Sequence, residues 1–182
     1  MRFLSILKAP SSTQKKIRLL RNQEDVRKFM YTSHEISEAE HNNWLGSLDG
    51  NPKQEVFVVM LEDEPVGVVS LNAINETNKT ADWAFYIDGQ FQGKGLGSLI
   101  EFKLLDYAFN NVGLEKLNCE VLESNPLVIK MHQKFGFSIE GIRRKNIAKD
   151  ELRLDVVLLG ITQEEWAVQR PKMLGVIERL SR

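Results

Sequence analysis

The stretch Gln92-Gly93-Lys94-Gly95-Leu96-Gly97-Ser98 decides how this chain is interpreted. It follows an apolar, strand-like run at residues 81–87 and precedes a helix-like run at residues 99–109. Glycines at alternate positions allow a tight turn and a close approach of the backbone to a ligand. A helix that begins directly after them points free N–H groups and the positive end of its dipole into the turn. The pattern therefore predicts an anion site, most often one for a phosphate.

Three kinds of phosphate loop compete for this stretch. A Walker A loop is excluded because Gly95 follows Lys94, where Ser or Thr is required. A dinucleotide fingerprint is a weak match because Ser98 replaces its third glycine. The third kind has the pattern Gln/Arg-x-x-Gly-x-Gly/Ala, which Gln92, Gly95 and Gly97 match. A glycine-rich turn without a ligand is the alternative.

The bulk composition is that of an ordinary globular protein. A length of 182 residues suits one domain, with residues 1–16 an extension or loop and residues 163–182 a C-terminal helix. Lys plus Arg number 24 and Asp plus Glu number 25, so no broad basic field indicates a nucleic-acid partner. The apolar segment at residues 166–180 could contribute to a homodimer.

Cysteine usage and hydropathy exclude several further classes. Cys119 is the one cysteine, which rules out an internal disulfide framework and leaves no Cys/His cluster for a metal. It falls in an apolar run, where a buried small side chain is the expected role. No apolar stretch reaches the length of a membrane span, and the first residues lack a full secretory pattern. We therefore expect a cytoplasmic protein with no membrane partner.

Periodicity and turn signals predict the order of elements. The predicted strands span 17–20, 55–62, 65–73, 80–87, 116–122 and 151–159, with 137–142 leading into the last strands, and the predicted helices span 24–30, 37–48, 99–109, 125–135 and the segment from 163 onward. Ser37 and Glu40 form a capping box, and Asn22 is a possible N-cap. Consecutive strands imply hairpins, so we expect an α/β (α+β) fold with a mixed sheet.

A second motif makes the phosphate ligand more specific. Asn125, followed by the helix that ends at Gly136-Phe137, resembles the Asn-x-x-Ala-x-x-x-Tyr-x-x-x-Gly-Phe helix of the GNAT superfamily of N-acetyltransferases. The glycine stretch resembles the pyrophosphate loop of the same family, and the resemblance covers nearly the whole chain. It implies the acyl-CoA N-acyltransferase fold, which is a mixed, mostly antiparallel sheet flanked by helices. Two of its strands splay at the acetyl-CoA site.

The resemblance assigns acetyl-CoA contacts, and no metal, to this chain. The implied contacts are the backbone of Phe85, Tyr86 and Ile87 with the pantetheine arm, the amides of Gln92, Gly93, Lys94, Gly95, Leu96, Gly97 and Ser98 with the pyrophosphate, and Asn125 with the pantetheine. His132 replaces the tyrosine that donates a proton to the leaving thiolate in the family. A histidine can supply that proton near neutral pH. The alternative is a helix histidine that only packs or forms a hydrogen bond.

The N-terminal half resembles one branch of the family. Arg21-Asn22, residues 26–31, Ile36, Glu40-His41 and Trp44 match the branch that acetylates UDP-4-amino-4,6-dideoxy-N-acetyl-β-L-altrosamine during pseudaminic acid synthesis for flagellar glycans. Ribosomal-protein and polyamine (spermidine) acetyltransferases share parts of the pattern. A polyamine site needs clustered acidic residues, and Glu35, Glu38 and Glu40 hint at one. A CoA-binding sensor without turnover is a third hypothesis, because His132 stands where the family has a tyrosine.

The branch resemblance implies a pocket for a nucleotide amino sugar. Its expected lining is Met30, Tyr31, His41, Trp44, Asn72, Tyr86 and Glu123. Aromatic rings stack on sugars and bases, although Met30 and Trp44 sit at helical spacings that also suit a core. Arg21, Arg27 and Lys28 could contact a diphosphate, or they could form a charged helix surface.

The chemistry requires a proton acceptor near the attacking amine. Glu123, acting through water, is the first candidate, with a solvated loop carboxylate as the alternative reading. Ser70 is a second candidate as a relay. Backbone N–H groups of the splayed strand are expected to polarise the thioester carbonyl, as an oxyanion hole does.

Overall fold

In the computed structural model, which describes residues 1–180, the chain builds one seven-stranded sheet. The strands are Arg2–Ser5 (β1), Glu55–Leu61 (β2), Glu64–Asn75 (β3), Thr80–Ile87 (β4), Lys116–Leu122 (β5), Ser138–Lys149 (β6) and Leu152–Thr162 (β7). The α-helices are Ser11–Asn22 (α1), Glu24–Arg27 (α2), Glu38–Leu48 (α3), Leu96–Asp106 (α4), Pro126–Phe135 (α5) and Gln163–Leu180 (α6). Short 3₁₀ turns occupy Ile6–Lys8 and Gly89–Phe91, and a π-helical turn occupies Tyr107–Val112.

The sheet has the order β1-β2-β3-β4-β5-β7-β6. Every neighbouring pair is antiparallel except β4 and β5, which are parallel. The hairpins β2–β3, β3–β4 and β6–β7 follow from the short connections between those strands. The expectation of a mixed, mostly antiparallel sheet flanked by helices is confirmed.

Two predictions for the first 20 residues are wrong. The expected strand at residues 17–20 lies inside α1, where Ile17 and Leu20 are buried and Leu19 is 58% exposed. Burial three positions apart is a helical period, which a four-residue apolar run is too short to distinguish from a strand. The first strand is instead β1, which lies in the segment expected to be a loop and pairs with β2.

The segment between α1 and α3 contains less helix than predicted. The helix expected at residues 24–30 ends at Arg27. Asn22 does not cap it, because its side-chain amide exchanges hydrogen bonds with the backbone of Ile36 at 2.8 and 2.9 Å. These bonds attach the loop at residues 28–36 to the end of α1. The capping box of α3 is confirmed: Ser37 Oγ accepts from the Glu40 amide at 3.2 Å, and Glu40 Oε2 accepts from the Ser37 amide at 2.8 Å.

Each face of the sheet carries its own core. On one face α4, α5 and α6 bury residues such as Ile100, Phe135 and Trp166. On the other face α1 and α3 bury Ile17 and Leu48, among others. A fully buried side chain of this size stabilises the fold by roughly 1.5–3 kcal/mol relative to an exposed one. The sheet is therefore fixed from both sides, and its strand ends can carry a site.

The C-terminal helix predicted from Gln163 is present as α6, and residues 181 and 182 of that prediction lie outside the described residues. It is attached to α4 by Asp106, whose carboxylate accepts from the Arg170 guanidinium in two bonds of 2.7 Å and from Trp166 Nε1 at 3.0 Å. Across residues 1–180, no helix combines the length and apolar character that crossing a membrane requires.

The two parallel strands β4 and β5 separate part-way along their length. Their pairing covers Thr80 with Lys116, Ala81 with Leu117, and Asp82 with Asn118. Beyond Asp82, β4 remains paired with β3 on its other edge as far as Ile87. The edge of β4 that faces β5 is therefore free from Trp83 onward, as expected for the splayed strands. An extended ligand can pair its polar groups with such an edge.

Candidate active site

The glycine stretch forms the turn that starts α4. Gly93 and Gly95 have φ values of +72° and +84°, a region that favours glycine, and Gly95 is the N-cap. The Leu99 amide donates to Gly95 O at 3.2 Å. By helix geometry, the amides of Leu96, Gly97 and Ser98 precede the first intrahelical bond and point out of the helix start. The turn therefore has the free amides that an anion site requires, and α4 begins three residues earlier than predicted.

Gly97 brings three elements together behind this turn. A Cβ atom on Gly97 would lie 3.3 Å from Met131 Sδ of α5 and 3.6 Å from Phe85 Cε2 of β4. The first turn of α4 therefore packs against the side chain of Phe85, which lies in the part of β4 that β5 does not pair with. We call the space bounded by residues 92–98, the β4 edge at residues 85–87 and Asn125 the donor cleft. Its anion site and its free strand edge fit the pyrophosphate and the pantetheine arm of acetyl-CoA, respectively.

Asn125 lies at the end of the cleft, between β5 and α5. Its amide donates to Leu122 O at 2.9 Å, and its carbonyl accepts from Ile129 at 3.3 Å. Pro126 takes the first position of α5, where a missing N–H has no cost. The Asn125 side chain makes no capping bond to α5, so its amide group is available to a ligand.

His132 lies in the core beside the cleft and forms a buried pair with Glu101. His132 Nδ1 is 2.9 Å from Glu101 Oε1, and the side chains are 2% and 0% exposed. The imidazole ring packs against Trp83 and Phe85 of β4, with ring centroids 5.1 and 6.3 Å away. Burial raises the pKa of Glu101, while the charge and hydrogen bond of His132 oppose that shift.

Glu101 is a site residue that the sequence reasoning missed. It occupies the buried stripe of α4 together with Leu104, Leu105 and Ala108. A single carboxyl group within an apolar helical stripe is a signal that a buried partner exists. The signal does not identify that partner, because His132 is 31 residues away on another helix.

The loop at residues 28–36 is attached to β5 and β6. Tyr31 donates its hydroxyl hydrogen to Glu120 Oε2 of β5 at 2.6 Å, and Arg143 of β6 binds the other oxygen of Glu120. Burial, followed by the bond to Glu120, raises the pKa of Tyr31 well above its ordinary value. The predicted pocket residue Tyr31 is thus fixed over the sheet by two strands, and Glu120 and Arg143 are additions to the prediction.

Lys149 anchors the same loop from β6. Its ammonium group donates to three backbone carbonyls, those of Arg27 at 2.9 Å, Lys28 at 2.7 Å and Met30 at 3.0 Å. Met30 is half-buried beside this contact. Sequence reasoning could not find Lys149, because the bonds join residues 119 to 122 positions apart through backbone atoms.

Positive charge collects next to this loop. Burial lowers the pKa of Arg21. The charge of the nearby Arg27 lowers it further, whereas Tyr86 raises it. Burial also lowers the pKa of Lys149. The charge of Asp150 raises it, whereas the charges of Arg21 and Arg27 lower it further. Arg21 donates to Thr32 Oγ1 at 2.7 Å, but its buried Nη1 has no hydrogen-bond partner among residues 1–180. We call Arg21, Arg27 and Lys149 the cationic cluster.

Three further predicted residues lie on β3 and at the end of β5. Asn72 donates to Ser70 Oγ at 2.9 Å and accepts from Gln54 at 3.2 Å. Ser70 is opposite Ala84 of β4. Glu123 is exposed, and its Oε1 accepts from the Asp155 amide at 2.9 Å, which attaches the end of β5 to β7. Their catalytic and binding roles remain predictions.

His41 and Trp44 make their contacts away from the Tyr31 loop. Both lie on α3 with ring centroids 5.3 Å apart, and Trp44 packs on the core shared by α1 and α3. His41 is 6% exposed, and burial lowers its pKa. Tyr86 packs against the same core from β4. The arrangement gives His41 and Trp44 core contacts, whereas Tyr86 joins this core to the cationic cluster.

Comparison with known proteins agrees with this arrangement. Residues 19–137 match the family model described as the acetyltransferase (GNAT) family. The chain belongs to the GNAT acetyltransferase family. The matched range includes the glycine turn, the splayed part of β4 and β5, Asn125 and His132. Enzymes of this family use acetyl-CoA as the acyl donor, which fits the donor cleft. Within residues 1–180, no group of three or more His, Cys, Asp or Glu side chains could hold a metal ion.

The individual relatives carry different names. The spermidine N(1)-acetyltransferase of Escherichia coli (strain K12) is 36% identical over 85 residues, which are 47% of this chain and 46% of that protein. The acetyltransferase PseH of Campylobacter jejuni (serotype O:23/36, strain 81-176) is 28% identical over 119 residues, which are 65% of this chain and 73% of that protein. The matched part of the chain thus spans about half the length of the first of these relatives.

Solved structures share the fold. Spermidine N-acetyltransferase from Vibrio cholerae, in complex with CoA and spermine, superposes with a TM-score of 0.83 at 21% identity. The match covers 91% of this chain and 97% of that one. At this level of identity the likeness establishes the fold, and the acyl acceptor must be argued from the residues of the site.

Proposed function

We propose that this protein is an acetyl-CoA-dependent N-acetyltransferase that acetylates the 4-amino group of a UDP-linked amino sugar, UDP-4-amino-4,6-dideoxy-N-acetyl-β-L-altrosamine. Family membership supports the acetyl transfer, and the match to PseH is consistent with the branch suggested by the N-terminal half. The choice of acceptor is carried by one observation, the cationic cluster beside Tyr31 and Tyr86.

The charge of this cluster favours an anionic acceptor. Arg21 carries a buried N–H group without a protein partner, and the Lys149 ammonium donates to three carbonyl oxygens, which do not neutralise its charge. A diphosphate would accept a charge-assisted hydrogen bond from the free Nη1 of Arg21, about twice as strong as a neutral one. The three N–H donors of Lys149 are already used, so its charge would attract the diphosphate without a hydrogen bond. Tyr31 and Tyr86 supply rings for the sugar and the base.

A polyamine acceptor is the second candidate, because spermidine enzymes are among the relatives. Of the three acidic residues that hint at a polyamine site, Glu35 and Glu40 are already engaged, whereas Glu38 is exposed in the first turn of α3. Glu40 completes the capping box of α3, Glu35 pairs with Arg27 at 3.1 Å, and Glu120 binds Tyr31 and Arg143. A cation that entered this region would also meet the charges of Arg21 and Lys149. These observations favour the nucleotide sugar.

The residues of the site have separable tasks in this reaction. The amides at residues 96–98 and the free edge of β4 hold acetyl-CoA, whose thioester supplies the activated acetyl group. The cationic cluster and the Tyr31 loop orient the acceptor so that its amine approaches the thioester carbonyl directly. Glu123, or a water beside it, takes a proton from the amine, and His132 returns one to the sulfur. Ser70 is the alternative relay for the first of these transfers.

Thiol release from acetyl-CoA tests the proposal with a panel of acceptors. We expect turnover with the UDP-amino sugar, and much less with spermidine, spermine or N-terminal peptides. Arg21→Met should raise KM for the nucleotide sugar roughly 10- to 100-fold, since a charge-assisted hydrogen bond contributes about 1.5–3 kcal/mol. KM for acetyl-CoA should stay within about twofold by the same reasoning.

Arg2→Met is the matched control for Arg21→Met. Arg2 is exposed on the edge strand β1 and pairs with Asp63 at 3.6 Å, so its loss should leave both KM values unchanged. Turnover confined to polyamines or to peptides would contradict the nucleotide-sugar proposal. CoA binding without turnover on any acceptor would support the sensor alternative instead.

A further inference from the structure

The buried pair of Glu101 and His132 bears on the step in which the leaving thiolate receives a proton. We infer that Glu101 is a positioning residue, which fixes the ring of His132 and keeps a hydrogen on its Nε2 for transfer to the thiolate leaving group. This inference rests on the proposed acetyl transfer and assigns a role to a residue that the acetyltransferase pattern does not include.

The geometry holds the imidazole in one orientation. Glu101 Oε1 lies 2.9 Å from Nδ1, and Trp83 and Phe137 contact the ring from two directions, with centroids at 5.1 and 5.3 Å. Because Nδ1 is held by the carboxyl group, Nε2 on the other side of the ring points away from Glu101. The ring itself packs on Trp83 and Phe85, at the part of β4 where pairing with β5 has ended.

A purely structural role gives a poor account of Glu101. The residue is fully buried on α4, and its second oxygen, Oε2, has no hydrogen-bond partner among residues 1–180. Leaving such an oxygen unpaired destabilises a fold, and a leucine at this position would extend the apolar stripe. Groups that destabilise a core in this way are concentrated at functional sites.

The number of protons on the pair follows from its burial. A dry core disfavours net charge, so the pair should be neutral as a unit. It is neutral as a carboxylate with an imidazolium, and equally as a carboxylic acid with a neutral imidazole that carries its hydrogen on Nε2. The two forms differ only in the position of the proton between Oε1 and Nδ1. Both forms keep a hydrogen on Nε2, so the pair is a ready acid.

Cys119 is a second titratable side chain in the core against which the pair packs. It lies on β5, and burial followed by the charge of Glu101 raises the pKa of its thiol. A neutral thiol leaves the charge balance of the pair unchanged. From β4 and from the second residue after α5, the groups that face His132 are the rings of Trp83, Phe85 and Phe137, which do not titrate.

The step balances without any further reactant. The acceptor nitrogen forms a bond to the thioester carbonyl carbon, and the amine loses one proton to a base. The carbon–sulfur bond breaks with its electron pair going to sulfur, and Nε2 of His132 passes its proton to that sulfur. Solvent then returns a proton to the pair before the next turnover.

Variants of Glu101, with histidine or the family's usual tyrosine at position 132, test the inference. We expect Glu101→Gln to lower kcat about 10- to 100-fold, as a fraction of what a general acid contributes, with KM for acetyl-CoA within about twofold. Above the pH optimum, the kcat of Glu101→Gln should also begin to fall at a lower pH than the kcat of the wild type. In a His132→Tyr background, Glu101→Leu should leave kcat unchanged, because a tyrosine needs no carboxyl partner.

Glu55→Gln is the matched control, because it removes a carboxylate that accepts from the Tyr107 hydroxyl at 2.8 Å on β2, outside the cleft. It should change neither kcat nor the pH profile. An unchanged kcat and profile in Glu101→Gln would overturn the inference, and so would an equal loss of kcat from Glu101→Leu in both the wild-type and the His132→Tyr backgrounds.

A spectroscopic readout separates this inference from the proposed function. Nitrogen-15 NMR of the full chain distinguishes ring nitrogens that carry hydrogens, and the chain has three histidines, so His132→Tyr identifies the signal. We expect hydrogens on Nε2 and on the shared Nδ1 position in the wild type at neutral pH, and on one nitrogen in Glu101→Gln. A wild type inactive on every acceptor would refute the proposed function, whereas identical spectra of the wild type and Glu101→Gln would refute the inference.

Discussion

Gly95 holds the start of α4 in a backbone conformation that other residues adopt at a cost of about 1–2 kcal/mol. Its φ is +84°, and a Cβ atom would lie 3.2 Å from Leu180 Cδ2 of α6. We expect Gly95→Ala to turn the amides of Leu96 and Gly97 away from the bound pyrophosphate and to weaken acetyl-CoA binding at least 10-fold by calorimetry. The matched control is Gly46→Ala in the last turn of α3, where nothing lies within 4 Å of the added methyl.

The control should behave in the opposite way. Alanine in a helix interior is about 0.5–1 kcal/mol more favourable than glycine, so Gly46→Ala should raise stability and leave acetyl-CoA affinity unchanged. If Gly95→Ala bound acetyl-CoA as tightly as Gly46→Ala does, the assignment of the turn as the pyrophosphate site would fail.

Sequence alone could single out residues whose signal lies in local spacing. The turn at residues 92–98 and His132 were predicted as site residues because motif spacing and glycine chemistry act over a few positions, and their roles remain predictions. Glu101, Glu120 and Lys149 were missed because their partners are 31, 89 and 119 to 122 positions away, and the docking of one element on another brings them together. Their discovery required the packed fold.

At the scale of single elements, α3 offers a pH-dependent test. The bond with the Ser37 side chain, then the Ser37 amide and His34, lowers the pKa of Glu40 from 4.5 to about 2. A carboxyl group whose pKa is lower in the folded state stabilises it fully above the unfolded value, and the effect disappears as pH falls through the folded value. We therefore expect part of the acid loss of stability between pH 4.5 and about 2 to come from this capping box.

Glu40→Gln should reduce that loss. Its amide oxygen can still accept from the Ser37 amide but does not titrate, so the urea midpoint should fall less steeply between about pH 5 and pH 3 than in the wild type. Glu38→Gln, in the same first turn but outside the box, should keep the wild-type slope. Equal slopes in the two variants would show that the box does not contribute.

Elements were predictable where their signals were long or chemically distinct. The capping box, the Gly136 helix end and the valine-rich hairpin of β2 and β3 were all found in the expected places. The segment at residues 17–20 was assigned to the wrong class because an apolar run of four residues fits two periods, and docking of α1 on the sheet decided between them.

For the whole molecule, the divergence of β4 and β5 leaves the proposed acetyl-CoA cleft between elements that both sheet cores support. The turn before α4 and the free edge of β4 belong to one packed unit, so a ligand that bridges them binds the folded state and not the unfolded chain. Saturation at 100 times Kd should stabilise the fold by about 2.7 kcal/mol. In a domain of this size, that corresponds to a rise in Tm of roughly 5–10 °C.

Comparison of ligands shows which half of the cleft causes the shift. CoA and acetyl-CoA should raise Tm by similar amounts, because both carry the pyrophosphate and the pantetheine arm. Pantetheine at the same concentration lacks the anion held by the helix start and should give a much smaller shift, as should CoA added to Gly95→Ala. An equal shift with pantetheine and CoA would mean that the free edge of β4 alone holds the ligand. The stretch at residues 92–98 would then be a structural turn rather than an anion site.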